Sequence, residues 1–143
     1  MIAYIDSSVL MRIVLHAPNS LHEWNELHGG VASSLLRVEG NRTLDQLWHR
    51  GKLTEDDLAD KRFRFNTFLP RIEILPLSDS VLDLAAQPLP TSLASLDAIH
   101  LATAILYRAT QSASERPLLF ATHDHALATA ARSMNFEVVG VPA

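Results

Sequence analysis

Short apolar segments alternate with amphipathic helical segments along this 143-residue chain, and the alternation restricts the possible folds more than any other feature. Apolar runs bounded by turn residues predict strands at residues 2–5, 31–33, 72–75, 118–121 and 137–141. Strands that are separated by helices are joined by parallel crossovers. The pattern therefore predicts an α/β fold with three layers, α/β/α, around a central parallel sheet.

The segments between these strands carry helix signals. Helices are predicted at residues 7–15, 20–28, 34–50, 54–69, 80–86, 95–108 and 124–134. Gly51 is placed to end the third of these helices, and Gly29 and Gly30 are expected to break the chain. Pro88 and Pro90 predict a loop at residues 87–92.

Composition limits the classes of protein that fit. With 48% hydrophobic and 20% charged residues, the chain can form the core of one domain, which we expect to span residues 1–143. Cysteine is absent from the sequence, which excludes a disulfide framework, a thiolate zinc site and a cysteine nucleophile. The first residues lack the basic start of a signal peptide, and no apolar run approaches the roughly 20 residues of a membrane span. We therefore expect a cytoplasmic protein without a membrane partner.

Four acidic residues stand where this topology would bring them together: Asp6, Glu39, Asp97 and Asp124. Asp6 follows the first predicted strand directly, and Asp124 follows the fourth after two residues. Glu39 and Asp97 lie near the starts of two helices. Ligands of parallel sheets bind at the carboxyl ends of the strands, so we expect the four carboxylates to meet at that edge.

Clustered carboxylates require a neutralising charge, and a divalent metal ion usually supplies it. The chain has 12 Lys and Arg against 16 Asp and Glu, so leaving out these four acids balances the remainder. Ionised carboxylates suit a hard cation, and we expect Mg²⁺ or Mn²⁺. Taken singly, Asp6 and Asp124 could instead be helix caps, Asp97 a first-turn residue, and Glu39 a surface partner of Arg42.

Three neighbouring side chains could support such a site. The hydroxyls of Ser7 and Thr122 could orient ligands or water, although capping the following helix is an equal alternative. His100 lies one turn after Asp97 and could touch substrate or the metal shell, or be a buried histidine with its own partners. His123 and His125 could suggest zinc, but two histidines without further ligands form a weak motif.

Four segments resemble the PIN-domain family, and most closely the VapC-type ribonuclease toxins of type II toxin–antitoxin pairs. They are YIDSSVL at residues 4–10, SLLRVE at 34–39, LDAIHLATA at 96–104 and ATHD at 121–124. Their order and spacing fit nearly the whole chain, and the third segment is the most specific.

The resemblance implies that Asp6, Glu39, Asp97 and Asp124 bind metal and that the protein is a single-strand endoribonuclease, often a homodimer, inhibited by a cognate antitoxin. We expect hydrolysis of RNA phosphodiester bonds by a metal-activated water, which would leave 5′-phosphate and 3′-hydroxyl ends. A PIN-fold RNA-processing nuclease outside a toxin–antitoxin pair, or a catalytically silent binding module, remains open. A phosphoreceiver domain or a haloacid-dehalogenase-type phosphatase would need a second acid beside Asp6.

Basic residues concentrate in the two helical segments after the second strand. Arg37, Arg42, Lys61, Arg62 and Arg64 are candidates for contact with RNA or antitoxin. The alternating basic and aromatic stretch KRFRFNTF at residues 61–68 is the strongest candidate segment, because aromatic rings can stack on bases. A solvated helix face is the alternative.

Overall fold

In the computed structural model, which describes residues 1–111 and 117–142, five β-strands alternate with six α-helices. The strands are β1 (Ile2–Ile5), β2 (Gly29–Ser33), β3 (Ile72–Leu75), β4 (Leu119–Ala121) and β5 (Glu137–Val139). The helices are α1 (Ser7–Val14), α2 (Leu35–His49), α3 (Glu55–Phe68), α4 (Asp79–Ala85), α5 (Ser95–Thr110) and α6 (His125–Ser133). The predicted fold class is confirmed.

All five strands are parallel, in the order β3-β2-β1-β4-β5. The chain moves outward from β1 in one direction through β2 and β3, and then crosses back to place β4 on the other side of β1. The gap between the carboxyl ends of β1 and β4 is therefore the point where the strand order reverses. Ligands of open parallel sheets bind at such a point.

The strands divide the core between the two faces of the sheet. Ala3 and Ile5 of β1 join a cluster with residues of α1, α2 and α3, whereas Tyr4 between them joins a second cluster with residues of α5 and α6. This follows from the two-residue period of a strand, which sends successive side chains to opposite faces. The three predicted layers result.

A glycine allows α2 and α3 to approach closely. A Cβ atom on Gly40 would lie 2.4 Å from the Phe65 ring and 3.3 Å from the sulfur of Met11. Phe65 has no solvent-exposed surface, so its ring cannot move away without opening the core. Glycine disfavours a helix interior by about 1 kcal/mol, and this cost is offset here by the packing of the three helices.

Most helix boundaries lie within two residues of those predicted. Thr54 caps α3 with a capping box, in which its hydroxyl accepts from the Asp57 N–H and the Asp57 carboxylate accepts from the Thr54 N–H. Gly51 follows the C-cap residue of α2 and has a φ of 71°, so it terminates the helix as predicted. At the chain's end, β5 stops at Val139 rather than at Val141, because Gly140 turns the backbone with a φ of 106°.

Two predictions before β2 were wrong. Residues 20–28 do not form an α-helix, and only a 3₁₀ turn at Trp24–Glu26 is present. The segment is too short to form a stable helix by itself, and the burial of Leu21 and the contact between Trp24 and Phe68 determine its path instead. Gly29 and Gly30 do not interrupt the structure, since they pair with Ile2 and Ala3 of β1.

Within the described residues, no helix is both long enough and apolar enough to cross a membrane.

Replacing Gly40 with alanine is expected to lower the free energy of unfolding by about 1–3 kcal/mol, because the new methyl group overlaps the Phe65 ring. Urea denaturation of Gly40→Ala beside Gln46→Ala, an exposed position on the same helix, measures the effect. Equal stability of the two variants would show that α2 and α3 can separate at little cost.

Candidate active site

Asp6 is the most central of the four acids, because it directly follows the middle strand β1. Its backbone N–H donates to the carbonyl of Ala121, which continues the ladder between β1 and β4 by one residue. Asp6 occupies the N-cap position of α1, but its side chain makes no capping hydrogen bond. Instead, Oδ2 accepts from the hydroxyls of Ser8 at 2.7 Å and Thr122 at 2.9 Å. The buried carboxylate is therefore oriented across the sheet edge rather than along its own helix.

Thr122 connects Asp6 to Asp124. Its hydroxyl donates to Asp6 Oδ2 and accepts from the Asp124 backbone N–H at 3.0 Å. Asp124 is also a conventional helix cap, since its Oδ1 accepts from the N–H of Leu127 at 2.9 Å. The capping interpretation is thus correct for Asp124 and wrong for the Asp6 side chain. The cap uses only Oδ1 of Asp124.

Glu39 is brought to the site from α2 by a buried histidine. Oε1 of Glu39 lies 2.6 Å from Nε2 of His100, and the same nitrogen lies 3.7 Å from Asp6 Oδ1. The other ring nitrogen, Nδ1, lies 2.6 Å from the hydroxyl of Tyr4. Burial lowers the pKa of His100, but the hydrogen bond to Glu39 and the nearby negative charges outweigh it, so the pKa lies above its ordinary value. Glu39 is therefore not the surface partner of Arg42.

Asp97 completes the group from the first turn of α5. The helix begins at Ser95, as predicted, and Ala94 is its N-cap residue. Burial raises the pKa of Asp97, and the charges of Asp124, Asp6 and Glu39 raise it further, while His100 opposes them. The other three predicted acids thus all influence the Asp97 carboxyl group, and the four side chains share one end of the sheet.

Comparison with known proteins shows the family to which the chain belongs. Residues 3–133 match the family model described as PIN domain. The chain belongs to the PIN-domain family. A relative named Ribonuclease VapC47, from Mycobacterium tuberculosis, is 31% identical over 140 residues, which cover 93% of this chain and 92% of the relative. The family predicted from the four sequence segments is confirmed.

Solved structures show the same fold at low sequence identity. FitAcB from Neisseria gonorrhoeae aligns over 96% of both chains with a TM-score of 0.68 and 20% identity. A toxin–antitoxin complex from Klebsiella pneumoniae aligns over 85% of this chain and 86% of its own, with a TM-score of 0.58 and 18% identity. These similarities extend over nearly all of the PIN fold.

The donor chemistry of this PIN domain fits a hard divalent cation. The four acids offer only carboxylate oxygens, the ligands that Mg²⁺ and Mn²⁺ prefer. Within residues 1–111 and 117–142, no three His, Asp or Glu side chains are grouped closely enough to form a ready-made metal site. One Glu39 oxygen and one Asp124 oxygen are already engaged, by His100 and by the α6 cap. A cation would therefore have to be held by the remaining oxygens.

Sequence reasoning missed two polar residues of the site. Ser8, rather than the Ser7 selected from the sequence, donates to Asp6, and its oxygen also accepts from the His123 N–H. From the sequence, Tyr4 is predicted only as a residue of an apolar strand. Its hydroxyl nevertheless contacts His100 and accepts from the Ser33 N–H. Position in a strand predicts which face Tyr4 occupies but not the partner of its hydroxyl.

The two histidines beside Asp124 differ from a zinc pair. The Nδ1 atom of His123 donates to the carbonyl of Gly140 at 2.8 Å, which links the loop after β4 to the end of β5. His125 is the exposed first residue of α6. The contact of His123 is thus a hydrogen bond between the loop after β4 and the end of β5.

The candidate basic residues have partners within the protein. Arg64 donates to the carbonyls of Val14 and Ile13 at 3.0 Å each, and so satisfies the C-terminal end of α1. Arg42 lies 2.9 Å from Asp45, Arg62 lies 4.0 Å from the same carboxylate, and Lys61 pairs with Asp60. Arg37 is exposed on α2 two positions before Glu39. Arg64 therefore acts in the fold, whereas Arg37, Arg42 and Arg62 remain on the surface.

The three aromatic residues of the 61–68 segment differ in solvent exposure. Phe65 is fully buried and Phe68 contacts Trp24, while Phe63 is 73% exposed. Of the three phenylalanines of α3, Phe63 is therefore the one whose ring is mostly available to a partner.

Replacing Asp97 with asparagine is expected to raise the melting temperature at pH 7 in EDTA, because it removes a charge disfavoured by burial and by three like charges. A raised carboxyl pKa destabilises the fold above that pKa and not below the ordinary value of 3.8, so the gain should shrink as the pH falls. Asp79→Asn, in the exposed first turn of α4, is the control. A lower melting temperature for Asp97→Asn alone would contradict the proposed repulsion.

Replacing Arg64 with alanine is expected to reduce stability by about 1–2 kcal/mol, because two carbonyls of α1 lose a charged donor in a part-buried position. Arg42→Ala should stay within about 0.5 kcal/mol of the unmodified protein, since its ion pair is exposed. Urea denaturation of both variants checks the assignment, and equal effects would show that Arg64 is not a structural residue.

Proposed function

We propose that this PIN domain is a metal-dependent single-strand endoribonuclease and the toxin of a toxin–antitoxin pair. The observation that carries the proposal is the Asp97 carboxyl group, which is part-buried and surrounded by the charges of Asp6, Asp124 and Glu39. Such a concentration of carboxylates, at the point where the strand order reverses, is suited to a cation and a phosphate. The 31% identical relative named as a ribonuclease supports RNA as the substrate.

In this proposal, Asp6, Asp97 and Glu39 hold one or two Mg²⁺ or Mn²⁺ ions, and Asp124 assists directly or through a water molecule. When bound, the cation would polarise a phosphoryl oxygen and acidify the attacking water. Ser8 and Thr122 keep Asp6 oriented, since both hydroxyls donate to Oδ2 and leave Oδ1 without those partners. The site includes no cysteine and needs no RNA 2′-hydroxyl as nucleophile.

RNA cleavage by the purified protein tests the activity. We expect cleavage of single-stranded RNA with Mg²⁺ or Mn²⁺, none with EDTA, and a loss of at least about 100-fold in Asp97→Asn, because the amide keeps the shape but removes a ligand charge. Asp79→Asn, the exposed control, should cleave normally. The products should carry 5′-phosphate and 3′-hydroxyl ends.

Two results would oppose this assignment. A 2′,3′-cyclic phosphate at the product ends would show that the RNA itself supplies the nucleophile. Absence of cleavage for every RNA, with an unchanged cellular effect in Asp97→Asn, would favour a silent binding module that retains the PIN fold.

The partners follow from the same proposal. The solved toxin–antitoxin complex with this fold supports a cognate antitoxin that covers the site. We also propose a homodimer, since the packed helices α4 and α5 leave Leu82 and Leu96 41% and 48% exposed. We propose the cytoplasm as the location of the protein. Light scattering of the purified protein gives the oligomeric state, and growth arrest by the unmodified protein but not by Asp97→Asn would support the toxin role. A PIN nuclease outside a toxin–antitoxin pair would cleave RNA without such arrest.

A further inference from the structure

A buried chain of polar contacts runs behind the acidic site. The Ser33 backbone N–H donates to the Tyr4 hydroxyl at 3.3 Å, the Tyr4 hydroxyl contacts Nδ1 of His100 at 2.6 Å, and Nε2 of His100 contacts Glu39 Oε1 at 2.6 Å. This series of contacts connects the end of β2 with β1, α5 and α2. Tyr4 and His100 have no solvent-exposed surface, so water does not compete for the contact between them.

The direction of the last contact is determined by its chemistry. A carboxylate accepts hydrogen bonds, so Nε2 of His100 is the donor and carries the hydrogen toward Glu39. The Tyr4 hydroxyl, by occupying Nδ1, keeps the ring from rotating away. Burial raises the pKa of Tyr4 well above its ordinary value, so its oxygen keeps its hydrogen.

Glu39 needs such support more than the other three acids. Asp6, Asp97 and Asp124 have short side chains at strand ends or helix starts, where the backbone determines their place. Glu39 lies within α2, has one more rotatable bond, and has 21% of its side chain exposed. A long, partly exposed carboxylate loses rotamer freedom when it binds a cation, and a fixed donor reduces that loss.

We propose that His100 is a positioning residue for Glu39, and Tyr4 for His100, so that the two buried side chains set the affinity of the site for a divalent cation. The inference rests on the proposed function, because it assigns a further role toward the same cation. His100 engages only Oε1 in the contact described, and the second oxygen of Glu39 stays available. His100 and Tyr4 do not touch the cation in this scheme.

Two amide substitutions test whether His100 acts through the hydrogen on its Nε2 atom. Glutamine can place its amide nitrogen near the position of Nε2 and so can still donate to Glu39. Asparagine places its amide nearer the position of Nδ1 and cannot reach Glu39. Positioning therefore predicts that His100→Gln keeps the Mn²⁺ affinity that His100→Asn loses. Because asparagine is also the smaller side chain, the double substitution with Glu39→Gln separates positioning from a loss of packing.

Mn²⁺ binding tests the proposal in the absence of RNA. It is measured from the electron paramagnetic resonance signal of the free ion. We expect His100→Asn to weaken Mn²⁺ binding by about 10–100-fold and His100→Gln by less than about threefold. Tyr4→Phe, which removes only a hydroxyl, should weaken it by roughly three- to tenfold. Leu21→Ala, a substitution in the core cluster on the other face of the sheet, should leave Mn²⁺ binding unchanged. Circular dichroism at the working temperature confirms that each variant is folded.

A double substitution separates an action through Glu39 from other effects. If His100 acts through Glu39, His100→Asn should weaken Mn²⁺ binding no further in a Glu39→Gln protein. In the metal-free protein, the nitrogen NMR spectrum of the His100 ring should show that Nε2 carries a hydrogen. The resonance of that hydrogen should shift in the Glu39→Gln protein. A full effect of His100→Asn in the Glu39→Gln protein would overturn the proposal.

The remaining outcomes distinguish this inference from the function on which it rests. If the unmodified protein binds no Mn²⁺, the metal-dependent nuclease is overturned, and the positioning role with it. If it binds Mn²⁺ and all three variants of His100 and Tyr4 bind equally well, only the positioning role is overturned. Should His100→Asn not fold, Tyr4→Phe decides, since unchanged affinity in that variant contradicts the proposal.

Discussion

Repulsion among carboxylates at one end of the sheet is the constraint on which the rest of the structure depends. Asp97 shows it directly, because its pKa is raised by burial and then by Asp124, Asp6 and Glu39. A fold selected only for stability would separate these charges or replace them with neutral groups. This chain instead surrounds them with donors, the Ser8 and Thr122 hydroxyls on Asp6 and the His100 ring on Glu39.

The parallel topology makes this concentration of charge possible. Because neighbouring strands are parallel, each of the four crossovers between successive strands contributes one of the acids to the same edge of the sheet. Asp6 and Thr122 come to lie opposite each other since Ile5 pairs with Ala121 in the preceding rung. The cluster therefore follows from strand order and register, and it needs no long loop to assemble.

The sequence predicted the architecture well, because strand and helix periods differ and the breaks between them are marked by residues such as Pro70 and Gly51. It failed at residues 20–28, where Leu21 and Trp24 follow tertiary contacts that no local period records. The positions of Asp6 and Asp124 were predictable because they follow strands, and those of Glu39 and Asp97 because they lie near helix starts. The Tyr4–His100 contact joins residues 96 positions apart, and Ser8 could not be preferred to Ser7 without the direction of the first turn of α1.

The basic residues show why charge alone is a poor guide to an RNA-binding surface. Arg64 and Arg42 lie on neighbouring helices and look equivalent in the sequence, but Arg64 satisfies two carbonyls of α1 while Arg42 shares Asp45 with Arg62. An arginine committed to the fold cannot release its donors to a phosphate without leaving the helix end unpaired. Exposed ion pairs are worth little, so Arg42 and Arg62 can exchange Asp45 for a phosphate at small cost. Of the four arginines of these two helices, Arg64 thus stabilises the end of α1, whereas Arg37, Arg42 and Arg62 lie on the surface.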